Sequence, residues 1–242
     1  VVDGLLNDHP RPLHKGYDGE QVIGYLERSV LSGLSPLCQS QGVTLFMVLH
    51  GALALVLSRH SYSDDIVIGT PVANRLQSEV SSLIGFFANT LVLRSHTSGE
   101  QSIGDYLRHI KEVNLGAQSH QDVPFEQLVE QSDVSRSTGH SPLFQIMLTV
   151  AEEEPEADFH LPEMSVKSLE ATKLLSKFDL ELSVVPNGDG LALHWVYDRA
   201  LFEPSSIARL NAHFERLVCG LVGDVSRPVS TLPMLSVEEQ EN

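Results

Sequence analysis

Residues 178–197 read FDLELSVVPNGDGLALHWVY. Phe178, Leu180, Leu182 and Val184 alternate with Asp179, Glu181 and Ser183. After Asn187-Gly188-Asp189-Gly190 the same period of two resumes in Leu191, Leu193, Trp195 and Tyr197. Successive strand side chains point to opposite faces, so this pattern predicts two half-buried strands joined by a tight turn. Directly downstream the period changes. Pro204 is suited to a first helical turn, and Ile207, Leu210, Phe214, Leu217, Val218 and Leu221 fall on one helical face behind it.

Working back from the hairpin, Leu143 to Val150 is a mostly apolar run and reads as a strand, as do Thr90 to Arg94, Asp65 to Gly69 and Gln21 to Glu27. Thr70-Pro71 is expected to end the Asp65 strand. Thr44 is placed to cap a helix running to about Leu57 that is apolar on most faces, hence buried against the sheet. Ser35-Pro36 predicts the start of a preceding helix and Gly42 its end. Ser98 with Gln101 resembles a capping box ahead of the Ile103, Leu107, Ile110 stripe. Pro124 opens a short helix holding Leu128 and Val129, with Asp122 as its cap. Residues 72–83 and the acidic run 152–156 read as loops. Strands alternating with helices give an α/β (α+β) two-layer sandwich on a mixed central sheet.

The net charge of -16 argues against nucleic acid and anionic membrane surfaces, which need a basic face. The longest apolar run, residues 43–57, is too short to span a bilayer. Cys38 and Cys219 are too few and too far apart for a disulfide framework or a zinc site. They are expected to be buried free thiols in a reducing, cytoplasmic setting. No two histidines sit at helical i, i+4 spacing with a glutamate between them, so no metal is expected. Residues 139–143 (GHSPL) lack the final glycine of a nucleophile elbow and lead into a strand instead of a helix. The stretch 120–126 (HQDVPFE) is polar, but a helix start accounts for it: Asp122 as cap, Phe125 as anchor, Glu126 near the positive helix end.

Three stretches carry more together than apart. Residues 84–90 (IGFFANT) resemble the IGxFVNT motif of condensation domains of nonribosomal peptide synthetases, with Ala88 for valine. Residues 120–126 match that family's HQDxPFE motif throughout. Ser135-Arg136 followed by 140–145 (HSPLFQ) is similar to its SR…SPLFQ motif. Around these, 65–75 (DIVIGTPVANR), 8–12 (DHPRP) and 232–240 (LPMLSVEEQ) resemble the family's strand-and-turn and its two linkers. The family's HHxxxDG signature is absent, and the chain begins as though cut from a longer one.

The resemblance implies a chloramphenicol acetyltransferase-like C-terminal subdomain at 19–228. Residues 1–18 would be a linker from a missing N-terminal subdomain, and 229–242 a linker toward an adenylation domain. It implies that an intact domain joins acyl or peptidyl and aminoacyl thioesters presented by donor and acceptor peptidyl carrier proteins. The 4'-phosphopantetheine arms belong to those partners, and no cofactor is bound directly. No catalytic residue is assigned to this chain; Gly85, Asn89, Thr90, His120, Asp122, Arg136, Ser141 and Gln145 are assigned to a substrate tunnel or to the structure of its motifs. Arg136 is expected to tie loops together. The 178–197 hairpin is expected to reach across to the other subdomain, with a mobile tip. Epimerization or heterocyclization domains, and a non-catalytic relative that recruits a partner protein, remain the alternatives.

Overall fold

The computed structural model describes residues 7–75, 79, 82–132, 137–151, 173–236 and 239. The acidic run at 152–156, Arg136 and part of the 72–83 loop lie outside them. In chain order the elements are β1 (Asp18–Leu26), α1 (Arg28–Gln41), α2 (Leu45–Ser61), β2 (Asp65–Val72), β3 (Asn89–His96), α3 (Ile103–Gln118), α4 (Phe125–Gln131), β4 (Ile146–Val150), β5 (Leu174–Leu175), β6 (Leu180–Asn187), β7 (Gly190–Asp198) and α5 (Pro204–Leu221). The strands form one mixed sheet in the order β3-β2-β4-β6-β7-β1-β5. The β2–β4 and β4–β6 pairs are parallel and the others antiparallel.

Helix α2 is buried from Met47 to Ser58 and lies between α3 and α5 on one face of the sheet. This is the arrangement that its all-round apolar sequence predicts. Thr44 Oγ1 accepts from Met47 N at 3.2 Å, the predicted cap. Behind the hairpin, Trp195 packs edge-on against Phe214 of α5 at 5.5 Å, and its indole N–H donates to Asn211 Oδ1 at 2.8 Å. A buried tryptophan with its N–H satisfied contributes area burial without a desolvation penalty. Every apolar residue assigned to the α5 stripe is buried.

Several boundaries differ from expectation. Helix α1 starts two turns before Ser35 and runs through Pro36. Its apolar stripe (Val30, Leu34, Leu37) is continuous across the proline, and Pro36 and Ser32 are both exposed, so the carbonyl left without a partner can be hydrated. Gly42 ends the helix in the left-handed region at φ 60°, as predicted. The cap of α3 is Ser102, whose Oγ accepts from Asp105 N, so the Ser98–Gln101 pattern is not the capping box. Strand β2 continues through Pro71 to Val72; its pairing to β4 consists of Gly69–Met147 alone, so Pro71 lies beyond the doubly paired part. Strand β4 begins at Ile146 because Leu143 takes φ 66° and turns the chain. Cys219 is exposed and Cys38 half-buried, so the cysteines are free but not buried.

The hairpin reading is correct in its strands and wrong in its placement. β6 pairs with β4 on one side and β7 with β1 on the other. Strands hydrogen-bonded on both flanks cannot act as an arm reaching elsewhere. The tip is exposed, with Asp189 ion-paired to Arg28 at 3.0 Å.

Helix α2 ends at Tyr62, 88% exposed and at φ 53°. A residue with a Cβ is strained there, whereas glycine is not. Tyr62→Gly is expected to raise stability by about 0.5–1 kcal/mol, read as a higher urea midpoint at unchanged slope.

Candidate functional site

The first two motifs meet. The 82–88 loop precedes β3, and the 120–126 segment joins α3 to α4. Between them lies a groove of about 290 Å³, lined by Phe86, Asn89, Thr90, Asp122, Phe125 and Glu126 among others. Asn89 is the staple. Its Nδ2 donates to the carbonyls of Gln121 (2.8 Å) and Val123 (2.7 Å), and its Oδ1 accepts from Phe125 N at 3.1 Å. All three bonds lie inside the protein, so Asn89 is committed to holding the second motif in place. This also corrects the predicted cap: Asp122 is exposed, and Asn89, from another element, satisfies the amide at the start of α4. Leu128 and Val129 are only half-buried.

Asn89→Ala should lose about 2–3 kcal/mol, near 1 kcal/mol for each hydrogen bond removed. Asn89→Asp should do no better, because a carboxylate would face two carbonyl oxygens. Chemical denaturation of the three proteins checks both statements.

Gly85 lies in the exposed loop and its carbonyl accepts from Arg75 Nη2 at 3.3 Å. The same guanidinium donates to Leu83 O at 2.8 Å and sits 4.4 Å above the Phe87 ring. Pinned from within, the loop presents Ile84 and Phe86 almost fully to solvent. Thr90 is half-buried and pairs with Pro71. His120 is exposed; its Nδ1 lies 2.9 Å from Gly116 O and 2.9 Å from Ser119 Oγ, so the ring closes the end of α3.

The third motif sits apart. Gln145 Nε2 donates to Ser141 O at 3.1 Å, and the Gln145 carbonyl accepts from Asp179 N at 2.9 Å. Gln145 lines a second cleft, also about 290 Å³, between the diverging starts of β2 and β4, where Asp65 and Arg94 form an ion pair at 2.7 Å. The Asp65 carboxyl is held below its usual value first by its hydrogen bond to Arg94. Phe125, in the wall of the first groove, packs against buried Phe144, next to Gln145 in sequence, with ring centroids 5.6 Å apart. Among the described residues no cluster of histidine, cysteine or carboxylate side chains is disposed to hold a metal.

Two polar clusters were not anticipated. At the base of the hairpin, Arg11 and Lys15 meet Asp179 and Asp198; Lys15 Nζ donates to Asp198 Oδ2 and to Phe178 O, both at 2.9 Å. The other cluster fixes the residues after α5. His60 Nε2 lies 2.9 Å from His213 Nδ1, His213 Nε2 lies 3.0 Å from Glu239 Oε1, and Arg216 reaches Glu239 Oε2 at 3.0 Å. The amide of Ser236, followed by His213, holds the Glu239 carboxyl down at about 2.

A mixed sheet with its helices packed around α2, and with the first two motifs meeting beside β3, defines a chloramphenicol acetyltransferase-like subdomain. The chain belongs to the condensation-domain family, whose model matches residues 1–242. Malpinin synthetase of Mortierella alpina is 38% identical over 240 residues, 99% of this chain and 3% of that protein. A four-domain nonribosomal peptide synthetase bound to AMP and glycine superposes with a TM-score of 0.86 at 22% identity, over 99% of this chain and 19% of that one. The X-domain in complex with OxyB, from teicoplanin biosynthesis, gives a TM-score of 0.84 at 25% identity, over 97% of this chain and 53% of that one. The chain thus spans about half of that X-domain chain and a small part of either synthetase. Among the described residues no single helix is long and apolar enough to cross a membrane.

Proposed function

We propose that this chain serves as the C-terminal half of a condensation domain in a nonribosomal peptide synthetase. The observation that carries the reading is the groove where Asn89 binds the IGFFANT and HQDVPFE stretches into one surface. The other half would supply the HHxxxDG histidine that positions or deprotonates the attacking amine. Donor and acceptor carrier proteins would bring their thioesters on phosphopantetheine arms, as substrates, and an adenylation domain would follow.

This half contributes a wall. Exposed Ile84 and Phe86 offer apolar surface to cover the reacting ends, and Asn89 and the start of α4 fix its shape. Holding two tethered reactants in line can supply roughly 7–11 kcal/mol of the barrier, and excluding water spares the thioester from hydrolysis. Gly85 and Thr90 are proposed to shape this wall, Ser141 and Gln145 to shape the second cleft, and His120, Asp122 and Arg136 to hold the motifs.

The test is peptide formation between two loaded carrier proteins, read by mass spectrometry of the acceptor arm. The intact domain should give product and this chain alone none. Product from the chain alone would overturn its assignment as a wall without a base. No product from the intact domain, with binding of a partner protein retained, would favour a recruiting role.

A further inference from the structure

We infer that Gly69 and Phe144 are positioning residues that set the groove wall from beneath. Gly69 is the residue through which β2 pairs with β4, opposite Met147. Ile66 and Ile68 belong to the main core, so Gly69 faces the other side of the sheet. Its φ is not in the left-handed region, so backbone freedom does not explain a glycine here. Space does: a Cβ would lie 2.3 Å from Phe144 Cε2 and 2.4 Å from Cζ. The Phe144 ring occupies the space beside the β2 backbone that a side chain at Gly69 would need. It is brought there by Leu143 at φ 66° and by the bond from Phe144 N to Pro142 O at 2.8 Å.

The ring is 2% exposed and touches Phe125 at 5.6 Å and Phe178 at 5.4 Å. Phe125 opens α4, a seven-residue helix with no fully buried residue and no side-chain cap from its own N-cap position. So short a helix does not hold itself in place. Two anchors at its start are the Asn89 bond to its first amide and the packing of Phe125 against the Phe144 ring. The start of α4 is one wall of the groove. A glycine in β2 therefore fixes the position of a wall on another element, through Phe144.

The effect on turnover rests on the proposed function; the mechanical coupling does not. The experiment is a double-substitution cycle in this chain, with amide exchange at residues 125–131 compared with β6. Gly69→Ala should speed exchange at 125–131 by about tenfold or more while β6 changes far less. In a Phe144→Ala background, adding Gly69→Ala should change exchange by less than about twofold, because the ring it would displace is gone. Uniform acceleration across both segments, or additive effects, would overturn the coupling. In the intact domain Gly69→Ala should lower kcat about tenfold, with KM for either loaded carrier within about twofold. A wild-type domain that turns over and a Gly69→Ala domain that matches it would overturn the positioning role. A wild-type domain without turnover would count against the proposed function and leave the exchange cycle to decide the coupling.

Discussion

Asp179→Ala is expected to destabilise the protein by about 3–5 kcal/mol, the range for leaving charges in a buried network without their partner. Asp179 is 5% exposed. Arg11 grips it through both terminal nitrogens, Nη1 reaching Oδ1 at 2.9 Å and Nη2 bonding to Oδ2. Lys15 lies 3.9 Å from Oδ1 and 2.9 Å from Asp198 Oδ2, and its side chain is only 5% exposed. Arg11 also donates to Gly139 O at 3.2 Å, so the network joins the segment before β1, the turn before β4 and the hairpin base. Removing Asp179 leaves two cations with one buried carboxylate. The melting temperature should fall by on the order of 10 °C for a chain of this size. Adding Arg11→Met should recover part of the loss, since the double variant removes both halves of the pair. A double variant less stable than Asp179→Ala would mean that the Arg11 stem contributes more by packing than its charge costs.

That cluster is invisible to local sequence patterns. The alternation in 178–184 assigns Asp179 to the polar face, and the strand it predicts exists. What the period cannot convey is that Arg11 and Lys15, more than 160 positions away, occupy that face at the hairpin base. Elements with a dominant local signal were legible: the hairpin strands, the all-round apolar α2, the one-sided stripe of α5. Where two local signals compete, packing decided. Ser102 caps α3 because its spacing brings Ile103 into the core. Pro36 is carried inside α1 because the buried stripe of Leu34 and Leu37 outweighs one lost hydrogen bond. The motif strings located the groove, but a motif names residues without their roles. The sequence suggests Asp122 as the cap of α4 and places Asn89 only among tunnel or motif residues; the fold gives the capping bond to Asn89 and leaves Asp122 in solvent.

Between pH 7.5 and 5 the protein should lose about 2 kcal/mol of stability through His50 alone. His50 is fully buried in α2, and its Nδ1 accepts from Asn114 Nδ2 at 2.9 Å. Burial, and secondarily the nearby His109, push the imidazole down to about 4 from its ordinary 6.5. The folded state therefore keeps His50 neutral at pH values where the unfolded chain already binds a proton. With more protons on the unfolded side, stability rises with pH. The contribution is complete above about 6.5 and is lost as pH falls toward 4, about 3 kcal/mol over the whole window. His60, pushed down to about 4 first by burial and then by His213 and Arg209, acts in the same direction, but it is partly exposed and solvent screening reduces its share. His50→Leu separates the two. The substitution removes the titrating ring together with a buried Nε2 that has no partner, while Asn114 Nδ2 keeps one N–H on Ile110 O at 2.7 Å and loses the acceptor of its other N–H. The unpaired N–H lowers the variant's stability equally at both pH values, so what distinguishes it from the parent is a smaller fall in stability between pH 7.5 and pH 5. Urea unfolding at the two pH values measures the difference. Parallel losses in parent and variant would show that the acid sensitivity arises elsewhere than at His50.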